Sequence, residues 1–206
     1  MQNKETIVDK SKYLKYTYSE KIAPKTEYPN LLAVWVLNNV FHNAGTIVDF
    51  GCGRGDFLSA FQQLGFESYG LDASPNIKEL KDFTVKQINF ENDAYPYFEQ
   101  KFDFAFSKSV IEHLHKPDLY LSAIHDSLKE SGKALILTPS WEYNYWGPFY
   151  IDHTHVTPFT AKSLKSALEM AGFKNVTVKY FYQLPILWKF PFLKIFAKLI
   201  AKLPIP

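Results

Sequence analysis

One cysteine, Cys52, stands in a chain of 206 residues, so no internal disulfide can form. A reducing compartment, the cytoplasm, is the corresponding expectation. An excess of one charge is also missing: 23 Lys and Arg face 21 Asp and Glu, a net charge of +2. With no basic surplus to neutralise phosphates, a DNA partner is not expected. No apolar run reaches the ~18 residues of a membrane span. The opening "MQNKETIVDKSKYLKYTYSEK" has no apolar stretch of the kind that marks a signal peptide. Internal repeats and low-complexity tracts are absent too. What is present is an ordinary globular composition, 47% hydrophobic and 21% charged, in a length suited to one domain. Aromatic residues are plentiful at 17%, and their polar-tipped members suit a binding surface as well as a core.

Along the chain, residues 1–27 are polar and read as an N-terminal arm or lid. Residues 28–182 alternate helical and strand patterns. "YPNLLAVWVLNNVF" predicts a helix, "TIVDF" a buried strand, and "RGDFLSAFQQLG" a helix stopped by Gly65. "ESYGLD" and "TVKQIN" predict two more strands, separated by a short helix that Ser74 caps and Pro75 opens. "KFDFAFS" is a fourth strand, "PDLYLSAIHDSLKESG" a helix and "KALILTPS" a fifth strand. "TAKSLKSALEMAG" is a helix capped by Thr160, and "FKNVTVKYFY" alternates like a sixth strand. Such alternation predicts an α/β fold: a doubly wound, mostly parallel Rossmann-like sheet with helices on both faces. Residues 183–206 differ, because Lys194, Lys198 and Lys202 recur at four-residue spacing among apolar residues, with no acid. That pattern predicts a lysine-striped amphipathic C-terminal helix. It fits docking on the body, on a second subunit, or peripherally on an anionic membrane.

The loop "DFGCGRG" leaves the first strand where ligands of parallel sheets bind. Gly51, Gly53 and Gly55 permit positive φ and close approach of a ligand to the backbone. The spacing is not that of a dinucleotide fingerprint, whose pyrophosphate rests on the next helix. Here Asp56 opens that helix and would repel an anion, so a nucleoside without phosphates is the expected ligand. Asp72 ends the second strand, where a carboxylate accepts the hydroxyls of a ribose.

"VDFGCGRG", "YGLDAS", "FDFAFSKSVIEHL" and "SLKESGKALILTPS" together resemble four ordered segments of the class I S-adenosylmethionine-dependent methyltransferases. The resemblance covers residues 45–182. It implies S-adenosylmethionine as cofactor, with Asp49, Gly51, Cys52 and Gly53 along its methionine part and Asp72 on its ribose. Ala73, Asn89 and Phe90 would meet the adenine, and Ser107 and Ser109 would flank the sulfonium. For Asn89 and Phe90 the alternative is a turn and a core residue; Cys52 is a small loop residue, not a nucleophile. The family sheet has a seventh, antiparallel strand; here it is missing or replaced by an irregular segment.

Methyl transfer from a sulfonium needs alignment above all, and a base when the acceptor is a hydroxyl or a protonated amine. The candidate bases are His113, in "SVIEHLH", and His153 and His155, in "IDHTHVTPFT". His113 fits a bracing role equally well, while His42 and His125 fall on surface helical segments. Trp141, Tyr143, Tyr145, Trp146 and Tyr150 crowd "SWEYNYWGPFY", which binds the acceptor or closes on its own hydrophobic cluster. The pattern "HVTPFT" resembles methyltransferases of small metabolites and surface glycans. The expected activity is methylation of an oxygen, less readily a nitrogen, of a small polar acceptor such as a saccharide or lipid-linked sugar. Two alternatives stay open. Glu112 and His113 resemble the Glu-His pair of metal-assisted RNA 2′-O-methyltransferases, but Ser109 stands where a second glutamate belongs, so no metal is expected. A non-catalytic cofactor-binding module is the other.

Overall fold

A computed structural model describes residues 21–144 and 148–200. Most of the expected arm, together with Tyr145 and Trp146, lies outside the described residues. The helix α1 spans Tyr28–Val36 and continues into a π-helical turn over Leu37–Phe41. Then come β1 (Thr46–Phe50), α2 (Asp56–Gln63), β2 (Glu67–Asp72) and β3 (Thr84–Gln87). The second half holds β4 (Phe102–Lys108), α3 (Pro117–Ser127), β5 (Leu128–Leu137), the single turn α4 (Trp141–Asn144) and α5 (Ala161–Met170). Two short helices close it, α6 (Pro185–Lys189) and α7 (Lys194–Ile200).

The sheet runs β3-β2-β1-β4-β5 with every pairing parallel. Alternation along the strands explains how both faces become covered. Ile47, Phe104 and Phe106 meet α1 and α2 through Leu32, Val36 and Phe61. Val48, Phe50 and Ala105 face the opposite layer, where Tyr120 and Ile124 of α3 and Leu164 of α5 lie. The chain winds outward from β1 to β3, then returns to place β4 on the other side of β1. In an open parallel sheet such a reversal is where a ligand crevice forms, beyond the carboxyl ends of β1 and β4.

Three elements differ from expectation. The helix predicted to reach Gly132 stops at Ser127, because Leu128 turns extended and pairs with Phe102. The register then slips, so that Phe104 pairs with Lys133, and residues 129–132 bulge from the edge. Residues 173–182 add no strand; five strands form the sheet of the described residues. Their apolar side chains pack instead: Val178 against the α3 layer, and Phe181 4.7 Å from Trp35 and 5.3 Å from Trp188 between ring centroids. The C-terminal segment breaks at Pro191, which lacks an N–H and holds Phe190 out of the helical region. No helix of the described residues is long and apolar enough to cross a membrane.

Candidate active site

The glycine loop closes the β1 side of the crevice. Gly51, Gly53 and Gly55 all take positive φ, at 98°, 51° and 78°. The backbone N–H groups of Gly51 and Cys52 both donate to the Leu71 carbonyl, which ties the loop to the end of β2. The Asp72 carboxylate then receives Gly53 N at 2.8 Å on one oxygen and Ser74 N at 2.8 Å on the other. Those bonds fix its orientation at the crevice and leave lone pairs for two ribose hydroxyls. Burial raises the Asp72 pKa, and the N–H groups of Ser74, Gly53 and Ala73 oppose that rise. Asp49 is buried beneath it; burial first, then the charge of Asp72, push its carboxyl up, against Lys108. Asp56 opens α2 as expected and pairs with Arg54 at 2.8 Å.

The resemblance-based assignments divide on inspection. Asp49, buried in β1, and Gly51, Gly53, Asp72 and Ala73 gather at the carboxyl ends of β1 and β2. Cys52 offers only its backbone, because its side chain is buried with Leu58 and Ile77; burial pushes its thiol pKa up. The Phe90 ring lies in the core, 5.9 Å from Phe50 and 5.0 Å from Tyr120. Exposed Asn89 caps its own turn by accepting from Glu91 N at 3.1 Å. The buried Ser107 hydroxyl meets the Tyr120 hydroxyl at 2.7 Å, and Tyr120 also donates to Phe50 O at 3.0 Å. Ser109 stands at the edge with φ 56° and donates its N–H to Leu137 O at 2.9 Å.

Opposite the glycine loop, two distant motifs are fastened together. The Glu112 carbonyl accepts the N–H groups of Val156 and Thr157 at 2.8 and 3.0 Å, and Thr157 Oγ1 donates to Leu114 O at 2.6 Å. This brings His155 beside His113, with ring centroids 4.6 Å apart. His155 Nδ1 lies 2.6 Å from the Phe149 carbonyl, which can only accept, so that nitrogen carries the proton. His113 Nδ1 lies 2.8 Å from Thr154 Oγ1, whose own proton goes to Asp152 at 2.6 Å. It too must donate, so Nδ1 carries a proton in both rings. Glu112 is fully buried: Oε2 accepts from Thr138 at 3.0 Å, while Oε1 has no hydrogen-bond partner. Burial raises its pKa, against its own backbone N–H, Thr138, His155 and Lys108. Ligand atoms of Glu112, His113 and His155 all lie within 4.8 Å of one another. His153 is exposed and outside this cluster.

The aromatic loop closes partly on itself. The Trp141 ring sits 5.5 Å from buried Phe149 and 5.8 Å from Tyr150, which is 55% exposed. Tyr143 packs 4.9 Å from Tyr180. Lys108 escaped the sequence reading, because a lysine ending a strand carries no motif. Its ammonium lies 5.8 Å from the Tyr28 ring, and its pKa is lowered by burial against the charges of Glu112 and Asp49. It therefore bridges the two halves of the crevice electrostatically.

A family described as a methyltransferase domain matches residues 20–178. The chain belongs to that family. Among its relatives, phosphoethanolamine N-methyltransferase 2 of Caenorhabditis elegans is 27% identical, covering 66% of this chain and 34% of that protein. The ubiquinone biosynthesis O-methyltransferase of Ruegeria sp. (strain TM1040) is 28% identical over 69% of this chain and 66% of its own. The chain thus spans less than two thirds of either. In structure it is similar to a SAM-dependent methyltransferase from Archaeoglobus fulgidus: TM-score 0.62, 25% identity, 82% of this chain and 78% of that one. The Burkholderia thailandensis 1,6-didemethyltoxoflavin-N1-methyltransferase, a complex with S-adenosylhomocysteine, shares the fold at TM-score 0.61 and 18% identity. Its match covers 84% of this chain and 80% of that one. The five parallel strands flanked by helices are the fold that the chain shares with these methyltransferases.

Proposed function

We propose that the chain is an S-adenosylmethionine-dependent methyltransferase acting on an oxygen, less readily a nitrogen, of a small polar acceptor, such as a saccharide or lipid-linked sugar. What supports the reading is the Asp72 carboxylate gripped by the glycine loop, together with the Glu112–His113–His155 cluster after β4, with Lys108 feeling the charges of both Glu112 and Asp49. Asp49, the Gly51–Gly53 backbone, Asp72 and Ala73 hold the cofactor. The cofactor, when bound, would supply an activated methyl, and a hydroxyl acceptor would give up its proton to a base. His155 or His113 takes that proton on Nε2. Phe149 O and Thr154 fix the two tautomers, and Glu112 stabilises the imidazolium that results. Trp141, Tyr143 and Tyr150 form the wall against which a sugar face stacks.

Labelled methyl transfer to a panel of free and lipid-linked sugars tests this reading. His113→Asn and His155→Asn should together lower kcat by about 10²–10⁴, the usual contribution of a positioned base, without altering S-adenosylhomocysteine affinity. Cofactor binding without turnover on any acceptor would instead indicate a non-catalytic module.

One observation favours a second reading. An unpartnered buried carboxylate oxygen beside two imidazoles, each held through its other nitrogen, also suits a divalent cation. The ligand atoms would have to draw in to about 2.0–2.2 Å from such an ion. Turnover indifferent to a chelator removes this reading; restoration by manganese or zinc after chelation supports it.

A further inference from the structure

No Asp or Glu follows Glu169, yet six lysines do, at 174, 179, 189, 194, 198 and 202. In the structure this acid-free segment divides its apolar residues between two faces. Leu187 is buried and Trp188 anchors the segment, donating Nε1–H to Tyr182 O at 2.7 Å and packing on Phe181 and Trp35. The other face has no cover among the described residues. Leu184, Ile186, Phe192, Ile195 and Phe196 are 55–66% exposed, and Phe190 39%. Across a groove of about 520 Å³, Leu31 and Val34 of α1 extend the same apolar surface. Lys189 lays its ammonium 5.5 Å from the Phe190 ring, and Lys194 is exposed beside Phe192.

We infer that this face docks on an anionic lipid bilayer. Clustered aromatic and aliphatic side chains rimmed by lysine fit the boundary between headgroups and acyl chains, and the segment itself carries no acid to repel anionic headgroups. A second copy is a poorer occupant: a two-fold contact sets like surfaces against each other, bringing lysines against lysines. The face also adjoins the crevice. Tyr28 donates its hydroxyl to Gln183 at 2.9 Å, its ring lies 6.0 Å from Trp188, and the ammonium of Lys108, which ends β4, lies 5.8 Å from the same ring. Docking here sets the crevice mouth beside the bilayer, where an amphiphilic acceptor would present its head. That last step rests on the proposed reaction; the docking itself does not.

Flotation of the full chain with phosphatidylcholine vesicles, with and without about 30 mol% phosphatidylglycerol, tests the inference. The chain should float with the anionic vesicles, remain behind with the neutral ones, and dissociate as salt rises. Phe192→Asp with Phe196→Asp, and separately Lys189→Glu with Lys194→Glu, should each weaken vesicle partition at least about tenfold. S-adenosylhomocysteine binding should be unchanged in all variants, which separates lost docking from lost folding or a wrong cofactor. Absence of flotation, equal flotation on neutral vesicles, or unaltered flotation of the variants overturns the inference. So does a dimer that the Phe variants dissociate when the parent chain ignores vesicles.

Discussion

At Gly51 the backbone holds φ 98°, and a Cβ there would overlap Val110 Cγ2. Gly51→Ala therefore faces both a left-handed backbone and a steric conflict that displaces the loop from Asp72. Gly65, at φ 85°, has its nearest neighbour 3.9 Å from such a Cβ, so alanine there meets backbone strain alone. Urea denaturation should show Gly65→Ala costing about 1–2 kcal/mol. Gly51→Ala should cost more and also weaken S-adenosylhomocysteine binding; equal costs with intact binding would separate the loop from the ligand. Asp103 supplies a pH test. Lys129 at 2.8 Å, with Thr46 N and Oγ1 at 3.0 and 2.8 Å, lowers its carboxyl from 3.8 to about 2. A folded-state pKa below the unfolded one means stability that is present above about pH 4 and lost as pH falls through about 2. The side chain is 36% exposed and screened by solvent, so its share is below about 1 kcal/mol. The stability difference between the parent chain and Asp103→Asn should shrink between pH 5 and pH 2; a difference that grows on acidification would contradict the assignment.

Among the elements, α5 illustrates a start signal that sequence conveys fully. Thr160 accepts from Ser163 N at 3.1 Å while Ser163 Oγ accepts from Thr160 N at 2.9 Å, a reciprocal cap. Thr160→Ala should lower stability by about 1 kcal/mol in denaturant titration, and Thr160→Ser should be nearly neutral. Five of the six expected strands were legible because period-two alternation and punctuating turns act locally. The "FKNVTVKYFY" segment alternates equally well but forms no ladder. Phe181 is drawn to Trp35 and Trp188, which lie far away in sequence, and no local pattern reports that competition. Likewise the α3–β5 junction depends on Leu128 pairing with Phe102 and Lys129 reaching Asp103, both tertiary events.

For the whole molecule, the glycine loop and the Asp72 it grips were readable together because they sit in one short stretch with fixed offsets. The histidine cluster was readable only in part. His113 and His155 could be named as candidates, but 42 residues separate them, and their adjacency depends on backbone bonds from Glu112 and Leu114 to residues 156 and 157. His153 carried the same sequence signal but is exposed and outside the cluster, while Lys108 carried none. A ligand that binds only the folded chain must also stabilise all of it. S-adenosylhomocysteine at a hundred times its Kd adds about 2.7 kcal/mol. For a chain of this size that should raise Tm by about 5–10 °C, and an unmoved transition would count against the crevice as its site. The most direct test is calorimetric titration of S-adenosylhomocysteine into the parent chain and into Asp72→Ala. Binding to the parent, weakened at least about tenfold by loss of the charged hydrogen bonds, is the predicted result. No binding to the parent chain, or equal affinity in both, would contradict the assignment of the glycine loop and Asp72 to the cofactor.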